Sequence, residues 1–436
     1  MKVKIIGAGL AGSEAALQLA KRGIEVDLYE MRPVKMTGAH TTEKLAEFVC
    51  SNSMGSYDLS VASGLLKKEM ELLGSELIKI AFDVKVPAGN ALAIDREEFS
   101  KRVTELIEEN PLINLIREEV DEIPDGDVII ASGPLTSDSM AKSIQDFTQE
   151  EHLHFFDAVA PIVEKDSINF DKAFYGSRYD KGEASYINCP MNREEYEKFY
   201  NILINAERIE LKEFEKNAKF FESCLPVEVL GSRGVDTLRF GPMKPVGLVD
   251  KRTNEISYAV VQLRQDNALK TLYNLVGFQT NLKWSFQKEL IHSIPGLENA
   301  NIVRYGVMHR NTFINSPKIL TNKLNTKKRE NLFFAGQITG VEGYTESMAS
   351  GLIAGINMAK RLKGESMLEL PSECILGALL NYITDENHKQ LQPVNSNWAL
   401  INNIELPKKI RKDKKAKAEI LANRSLEALN GVLNTL

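Results

Sequence analysis

The amino-acid sequence predicts an α/β fold in which one discontinuous domain is interrupted by an inserted α/β domain. Three observations support this prediction. A strand, a glycine-rich turn, a helix and a second strand follow one another over residues 3–30, and a strand–turn–helix pattern returns at residues 330–362. Between them, from about residue 151 to residue 300, the strand-forming runs are short, and aromatic and basic residues lie close together. We therefore predict one domain from residues 1–150 and 301–436 and a second from residues 151–300.

Size and composition are those of a soluble globular protein with more than one domain. The 436 residues are too many for a single hydrophobic core, and 43% of them are apolar and 26% charged. No segment approaches the roughly 20 apolar residues of a membrane-spanning helix, and the N-terminal stretch does not resemble a signal peptide. We therefore expect a cytoplasmic protein. The net charge of −6 excludes a general attraction to nucleic acid, so RNA binding would depend on local basic patches.

The first motif predicts a dinucleotide site. Gly7, Gly9 and Gly12 form a Gly-x-Gly-x-x-Gly turn between a buried strand and an amphipathic helix. Such a turn lets the backbone approach a pyrophosphate, and the helix start offers it free N–H groups. Glu30 ends the following strand, where an acid accepts hydrogen bonds from a ribose hydroxyl. An acid at this position suits an unphosphorylated ribose, which means FAD or NAD.

Two later stretches favour FAD over NAD. A second buried strand runs into a turn at Gly133, and a third runs into a turn at Gly336 and Gln337, followed by a long helix of small residues. A late unit of this kind would aim a second helix N-terminus at the cofactor. From the residues alone, an ordinary βα unit of a parallel sheet explains residues 330–362 equally well.

The four cysteines are judged one by one. Cys50, Cys189, Cys224 and Cys374 lie far apart and form no Cys-x-x-Cys pair, so neither a zinc site nor a disulfide framework is expected. A free cysteine is usually a small buried hydrophobic residue, and we expect that of Cys189 and Cys374. Cys50 is different because it lies in the polar stretch "CSNS".

Several long blocks of the chain resemble the folate- and FAD-dependent tRNA (uracil-5-)-methyltransferase family, TrmFO. The similarity covers nearly the whole sequence and rests on "GAGLAGSEAA", "EFVCSNS", "VPAGNALAIDREEFS", "SRYDKGEASYINCPMN", "FGPMKPVGL", "VRYGVMHRNTFINSP" and "FFAGQITGVEGYTESMASGLIAGIN". It implies a Rossmann-type, glutathione-reductase-like FAD domain, interrupted by an insertion domain that contributes to the active site and to RNA binding. The implied reaction moves a one-carbon unit from 5,10-methylenetetrahydrofolate to uracil C5, with NADPH or NADH as reductant. The implied target is the uridine at position 54 of the tRNA T-loop, whereas a related branch modifies ribosomal RNA.

The chemistry that the resemblance implies needs thiols. Uracil C5 becomes nucleophilic when a soft nucleophile adds at C6, and a thiolate suits that role. Cys50 and Cys224 occupy the places of the family's two functional cysteines, and we expect Cys224 to be the nucleophile and Cys50 its partner near the flavin. After "CSNS" the family commonly has a leucine and a basic residue, whereas this chain has Met54, Gly55 and Ser56. The shape of that loop is therefore expected to differ.

The resemblance also implies candidate binding residues. It implies that His309 stacks on the pterin ring of the folate, with Arg310 and Asn311 as polar contacts, whereas from the residues alone a hydrogen-bonded loop histidine is the simpler interpretation. The candidates for RNA phosphate contacts are Lys244, Arg264, Lys283, Lys408 and Arg411. For the basic run at residues 408–417, a solvated helix face is the simpler interpretation.

Two other functions remain open at the level of the sequence. The FAD motifs and the acidic net charge also suit a flavin oxidoreductase that acts on a small molecule. A flavoprotein that binds RNA without methylating it is a further alternative, although such a protein would have no chemical need for both Cys50 and Cys224.

Overall fold

A computed structural model describes residues 2–150, 153–158, 160–180, 183–209, 225–253, 256–306, 308–388, 391–401, 410 and 413–433, and of residues 153–158 and 308–310 it describes the backbone only. The strands in chain order are β1 (Lys2–Ile6), β2 (Glu25–Tyr29), β3 (Ser53–Ser56), β4 (Lys85–Val86), β5 (Ala91–Ile94), β6 (Ile113–Ile116), β7 (Val128–Ile130), β8 (Leu153–Ala158), β9 (Ile162–Glu164), β10 (Phe174–Gly176), β11 (Tyr186–Met191), β12 (Ala259–Gln265), β13 (Leu272–Leu275), β14 (Ile302–Arg304), β15 (Met308–Phe313) and β16 (Leu332–Phe334). The helices are α1 (Leu10–Ala20), α2 (Ala62–Leu72), α3 (Glu76–Asp83), α4 (Arg96–Glu108), α5 (Asp138–Thr148), α6 (Arg193–Asn205), α7 (Val227–Ser232), α8 (Thr237–Phe240), α9 (Trp284–His292), α10 (Ser316–Ile319), α11 (Tyr344–Leu362), α12 (Ile375–Thr384) and α13 (Lys414–Leu433).

The first sheet is parallel and has the strand order β16-β7-β1-β2-β6. Ile5 in β1 lies opposite both Leu28 in β2 and Ile129 in β7, and all three side chains are fully buried. Such continuous apolar strands are typical of a parallel sheet that is covered on both faces. Because β16 joins the sheet beside β7, the late segment of the sequence returns to the domain that the first segment began.

Helices α1 and α11 pack together unusually closely. A Cβ atom added at Gly351 would lie 2.2 Å from the carbonyl oxygen of Ala11, and one added at Gly355 would lie 2.8 Å from that of Ala15. The small residues that the sequence shows in this helix are therefore required by a backbone-to-backbone contact. The contact fixes α11 against the helix that follows the first glycine turn.

The second large sheet is antiparallel and has the order β10-β11-β12-β13-β9-β14. It packs with α6 and α9 around a hydrophobic core of its own, which extends from Val163 to Ala300, whereas the core of the parallel sheet draws on residues 3–144 and 313–429. These separate cores support the proposed division into residues 1–150 with 301–436 and residues 151–300. Strands β8 and β15 form an antiparallel pair where the chain leaves the domain of the parallel sheet and where it returns to it. Strands β3, β4 and β5 form a small sheet of their own.

The C-terminal helices are attached through a buried acid. The Glu69 carboxylate in α2 accepts hydrogen bonds from the backbone N–H groups of Ile375 and Leu376, both at 2.8 Å, and from Ser425 Oγ in α13 at 2.6 Å. It thereby caps the start of α12 and holds α13 with one side chain. In the part of the chain that the structure describes, no helix is long and apolar enough to cross a membrane.

Candidate active site

The glycine turn after β1 forms the floor of a cleft. A Cβ atom on Gly7 would lie 2.6 Å from the carbonyl oxygen of Ala131, and one on Gly12 would lie 1.8 Å from that of Gly7. Any side chain at these two positions would collide with backbone. Gly9 has open space around its Cβ position and precedes α1, whose first N–H groups have no side-chain cap. The turn is therefore shaped to hold an anionic group against a helix N-terminus.

Glu30 stands at the end of β2 and lines the same cleft. Its carboxylate accepts hydrogen bonds from Ala8 N at 3.1 Å and from Arg32 Nε at 2.8 Å. Burial alone would raise the pKa of Glu30, but its hydrogen bond to Arg32 and the positive charge of that guanidinium outweigh burial and hold the pKa below its usual range. Glu30 is thus a fixed, ionised acceptor beside the glycine turn.

The cleft lies where four parallel strands end. The turns after β1, β2, β7 and β16 all contribute to it, and the predicted residues that line it are Gly7, Gly9, Glu30, Gly133, Gly336 and Gln337. This position beyond the carboxyl ends of the strands is where open α/β sheets bind dinucleotides. The glycine cradle and the ionised acid fit FAD.

A second cavity adjoins the cleft and contains the cysteine. Cys50, Ser51 and Asn311 line it, and it shares Val49, Pro134, Leu135, Gln337 and Tyr344 with the cleft. Asn311 is buried within β15. Cys50 therefore lies at the border between the dinucleotide cleft and a second chamber.

Tyr344 is the immediate partner of Cys50. Its Oη atom lies 2.8 Å from Cys50 Sγ and accepts hydrogen bonds from the N–H groups of Cys50 at 2.8 Å and Ser51 at 3.3 Å. Because these N–H groups occupy the oxygen as an acceptor, its own proton is directed to the sulfur. Burial, followed by the neighbouring Cys50, raises the pKa of Tyr344 well above its usual value. The hydroxyl therefore stays protonated and can stabilise a Cys50 thiolate.

Two partly buried arginines contact the segment that carries Cys50. Arg96 donates a hydrogen bond to the carbonyl oxygen of Phe48 at 3.4 Å and forms an ion pair of 2.6 Å with Asp266. Arg264, in β12, donates hydrogen bonds to Ser51 Oγ at 2.8 Å and to Asn52 Oδ1 at 3.1 Å. Positive charge near a cysteine favours its thiolate form. No local pattern in the sequence indicates that Arg264 meets Ser51 and Asn52, because it lies more than 200 positions away from them.

The structure places the other candidate residues as follows. Cys224, Lys408 and Arg411 lie outside the described residues. The backbone of His309 and Arg310 belongs to β15, opposite Asp157 and Phe156. Lys244 and Lys283 are exposed on the antiparallel domain, whereas Arg264 is half buried against the Cys50 loop.

The remaining cysteines have a different environment. Cys189 in β11 and Cys374 before α12 are fully buried, and burial raises the pKa of both thiols, that of Cys374 to about 12. They are small core residues, as the sequence analysis expected. Among the described residues, no group of three or more histidine, cysteine or acidic side chains could hold a metal ion.

Comparisons with known proteins place the chain in a family. Residues 2–366 match the family model "Glucose inhibited division protein A". Curated relatives named methylenetetrahydrofolate--tRNA-(uracil-5-)-methyltransferase TrmFO include those of Brevibacillus brevis, 58% identical over 98% of this chain and 97% of the relative, and of Bacillus cytotoxicus, 57% identical over 99% of both. The relative from Anoxybacillus flavithermus is 57% identical over the full length of both chains.

Solved structures agree on the fold. Aquifex aeolicus GidA in its form II crystal matches 99% of this chain and 74% of its own with a TM-score of 0.69 at 17% identity. The form I crystal of the same protein gives a TM-score of 0.67 over 98% of this chain and 77% of its own, also at 17% identity. The predicted Rossmann-type α/β fold is thereby confirmed. On the strength of the near full-length relatives, the chain belongs to the TrmFO family.

Proposed function

We propose that this protein forms 5-methyluridine in tRNA, at position 54 of the T-loop, with 5,10-methylenetetrahydrofolate as carbon donor and NADPH or NADH as reductant. The observation that carries the proposal is the position of Cys50. Its sulfur lies at the border of the two cavities, 2.8 Å from a tyrosine hydroxyl. A thiol held there reaches both a dinucleotide in the cleft and a base in the second chamber.

The chain's own residues have separate tasks in this reaction. Gly7, Gly9 and Glu30 would hold the FAD pyrophosphate and ribose. When bound, FAD supplies the hydride that converts a methylene group on C5 into a methyl group. Cys224 would add to C6 of the uracil as a thiolate, and Cys50 would take the proton that leaves C5 once the methylene group is attached there. The C6–S bond would break again when the hydride reaches the methylene carbon, which releases the Cys224 thiolate and the methylated base. Tyr344 would keep Cys50 ionised through its O–H donor until that proton is taken.

The donor and the RNA would approach from the side of the second cavity. Asn311 is buried in the lining of that cavity and offers an amide to a pterin ring, and His309 and Arg310 precede it in the same strand. Lys244 and Lys283 are exposed on the antiparallel domain, where they would contact phosphates. A uridine in a folded loop must leave its stack to reach the thiols. These substrates place the reaction in the cytoplasm.

Labelled folate tests the proposal. The purified protein is incubated with FAD, NADPH and methylenetetrahydrofolate labelled in the methylene group, and an unmodified tRNA transcript and an unmodified ribosomal RNA transcript are supplied separately. Label in 5-methyluridine of the T-loop is the expected result. A T-loop transcript in which uridine 54 is replaced by cytidine is the matched control.

Two outcomes would contradict the proposal. Label in ribosomal RNA alone would assign the same chemistry to the other substrate. Oxidation of NADPH without label in either RNA would favour a flavin oxidoreductase that acts on a small molecule.

A further inference from the structure

Arg264 joins the antiparallel domain to the loop that carries Cys50. It lies in β12, a central strand of the antiparallel sheet, where it is opposite Asn274 in β13. Its neighbours Leu263 and Gln265 are buried, so the backbone that bears the side chain is held in place. From this position the guanidinium donates to Ser51 Oγ at 2.8 Å and to Asn52 Oδ1 at 3.1 Å.

Asn52 completes the connection. Its side chain is fully buried and its Nδ2 atom donates two hydrogen bonds, to the carbonyl oxygen of Ile94 at 3.0 Å and to that of Gln265 at 2.9 Å. Ile94 ends β5, which belongs to the domain with the dinucleotide cleft. Gln265 follows Arg264 in β12 of the antiparallel domain. Asn52, two residues after Cys50, is therefore hydrogen-bonded to both domains.

The charges around Arg264 do not suit an RNA phosphate contact. Asp266 directly follows β12, two residues beyond Arg264, but its carboxylate forms an ion pair with Arg96 at 2.6 Å. The Arg264 guanidinium donates to the neutral oxygens of Ser51 and Asn52 in the loop and also bonds to the Tyr186 hydroxyl of β11, and the side chain is only partly accessible. Lys244 and Lys283, in contrast, are exposed. A phosphate would have to displace the loop to reach Arg264.

We propose that Arg264 is a positioning residue for Cys50: its fork of two hydrogen bonds to Ser51 and Asn52 fixes the orientation of the thiol from the antiparallel domain. The inference rests on the proposed use of Cys50 in methyl transfer. It replaces the sequence-based assignment of Arg264 to RNA phosphate. A planar guanidinium can make both bonds at once, and a lysine ammonium on a flexible stem cannot reproduce that fork.

Variants of Arg264 and Ser51 test the inference in the full chain with FAD bound. Arg264→Met removes the guanidinium and keeps most of the apolar stem, Arg264→Lys keeps the charge without the fork, and Ser51→Ala removes one of the two bonds. Arg193→Met is the matched control, because Arg193 is an exposed arginine of the same domain that pairs with Glu197 one helical turn away. Binding of FAD and thermal unfolding are recorded first to establish that each variant is folded.

Two readouts separate positioning from RNA contact. The first is the rate at which iodoacetamide alkylates Cys50 without substrates, followed by mass spectrometry of the Cys50 peptide; we expect it to fall about threefold to tenfold in Arg264→Met. The second is methyl transfer to a tRNA transcript. Because small displacements of a reacting group cost up to about 100-fold in rate, we expect kcat to fall by about 10- to 100-fold while KM for tRNA stays within about twofold.

The conservative variants sharpen the result. Arg264→Lys should resemble Arg264→Met in kcat, because the fork and not the charge is required. Ser51→Ala should lower kcat about threefold, and combining it with Arg264→Met should cause no further loss, since both changes break the same bond. If Arg264→Met does not fold, Ser51→Ala and Arg264→Lys carry the test alone.

Three results would overturn the inference. A phosphate contact would be shown by a rise in KM with unchanged kcat, together with a smaller salt dependence of tRNA binding: the slope of the logarithm of the binding constant against the logarithm of the salt concentration would fall by about one. Alkylation and kcat both within about twofold of the unaltered protein would show a packing role only. A full recovery of kcat in Arg264→Lys would show that charge suffices. If the unaltered protein does not methylate tRNA, the proposed function fails, and the alkylation rates alone still decide whether Arg264 positions Cys50.

Discussion

Cys50 and Cys374 each lie beside hydrogen bonds that connect distant segments of the chain, but their environments have opposite effects on the thiol. Cys50 borders two cavities and contacts a tyrosine hydroxyl, and the arginines Arg96 and Arg264 hold the loop around it. Cys374 is sealed in the core, where its Sγ atom donates to the carbonyl oxygen of Ser425 at 3.5 Å and the nearby buried charge is the carboxylate of Glu69. Positive neighbours and an O–H donor favour a thiolate, whereas burial beside an acid opposes it. The same residue type is thus made reactive in one region and inert in the other.

The largest expected effect is that of removing the reactive thiol. Cys50→Ala should lower methyl transfer to tRNA by at least about 1,000-fold, because in the proposed function the residue handles a proton or a covalent step of the reaction. FAD binding should persist, since the Cys50 side chain does not itself line the cleft. Transfer of labelled methylene to a tRNA transcript provides the measurement.

Cys374→Ala is the control for that variant. It should retain the rate of methyl transfer and lose about 1–2 kcal/mol of unfolding free energy through a small cavity. Equal losses of activity in the two variants would remove the distinction between the two regions.

Chemical labelling compares the thiols within one molecule. At neutral pH iodoacetamide should modify Cys50 at least about 100-fold faster than Cys189 or Cys374, because both of these are buried and their pKa values are raised. Rates are read in a single digest from the peptides that contain Cys50, Cys189 and Cys374. In denaturant the three rates should become equal, and similar rates in the native protein would contradict the comparison.

The hydroxyl of Tyr344 should account for part of the difference in alkylation rate between Cys50 and the buried cysteines. Tyr344→Phe keeps the ring, which packs against Phe48 with a centroid distance of 4.2 Å, and removes only the donor to Cys50 Sγ. We expect alkylation of Cys50 and methyl transfer to fall by about tenfold each, the size of one hydrogen bond to a charged group. Tyr382→Phe, a change on α12, serves as control. An unchanged alkylation rate would show that the hydroxyl does not act on the sulfur.

The smallest expected effect concerns the buried acid near Cys374. Burial raises the pKa of Glu69 to about 7, against the hydrogen bonds that lower it. The folded state therefore binds a proton that the unfolded state has released, so stability falls as pH rises from about the ordinary carboxyl pKa to about 7. This group should remove about 2–3 kcal/mol of unfolding free energy across that range.

Urea unfolding at pH 5 and pH 8 tests the prediction. Glu69→Gln stays neutral and should lack this part of the pH dependence. Glu71→Gln, an exposed glutamate of the same helix, should follow the unaltered protein. If the free energy of unfolding changed by the same amount between pH 5 and pH 8 in all three proteins, Glu69 would not titrate in this range.

The dinucleotide cleft could be predicted from the sequence because its residues are local. Gly7, Gly9 and Glu30 belong to one strand–turn–helix–strand unit, and the spacing itself encodes the geometry. Tyr344 could not be predicted as the partner of Cys50, because it lies 294 positions away and carries no local pattern.

Arg264 illustrates a different limit. From Val261 to the end of β12 the buried and less buried side chains alternate, and Arg264 lies on the less buried face. A polar face of a strand looks the same in sequence whether it meets water or another domain. The sequence-based prediction of a phosphate contact assumed that this face of β12 is exposed to water. In the structure the Arg264 side chain instead contacts the Cys50 loop.

The glycines of α11 have one further consequence. The helix begins at Tyr344, and two turns later Gly351 rests on the backbone of α1, which itself starts at the glycine turn. With a rise of about 1.5 Å per residue, these two contact points are separated by about 10 Å of helix. Because backbone meets backbone there, no side chain is available to rearrange. The helix therefore sets the distance between the glycine turn and the Tyr344 hydroxyl that contacts the sulfur of Cys50.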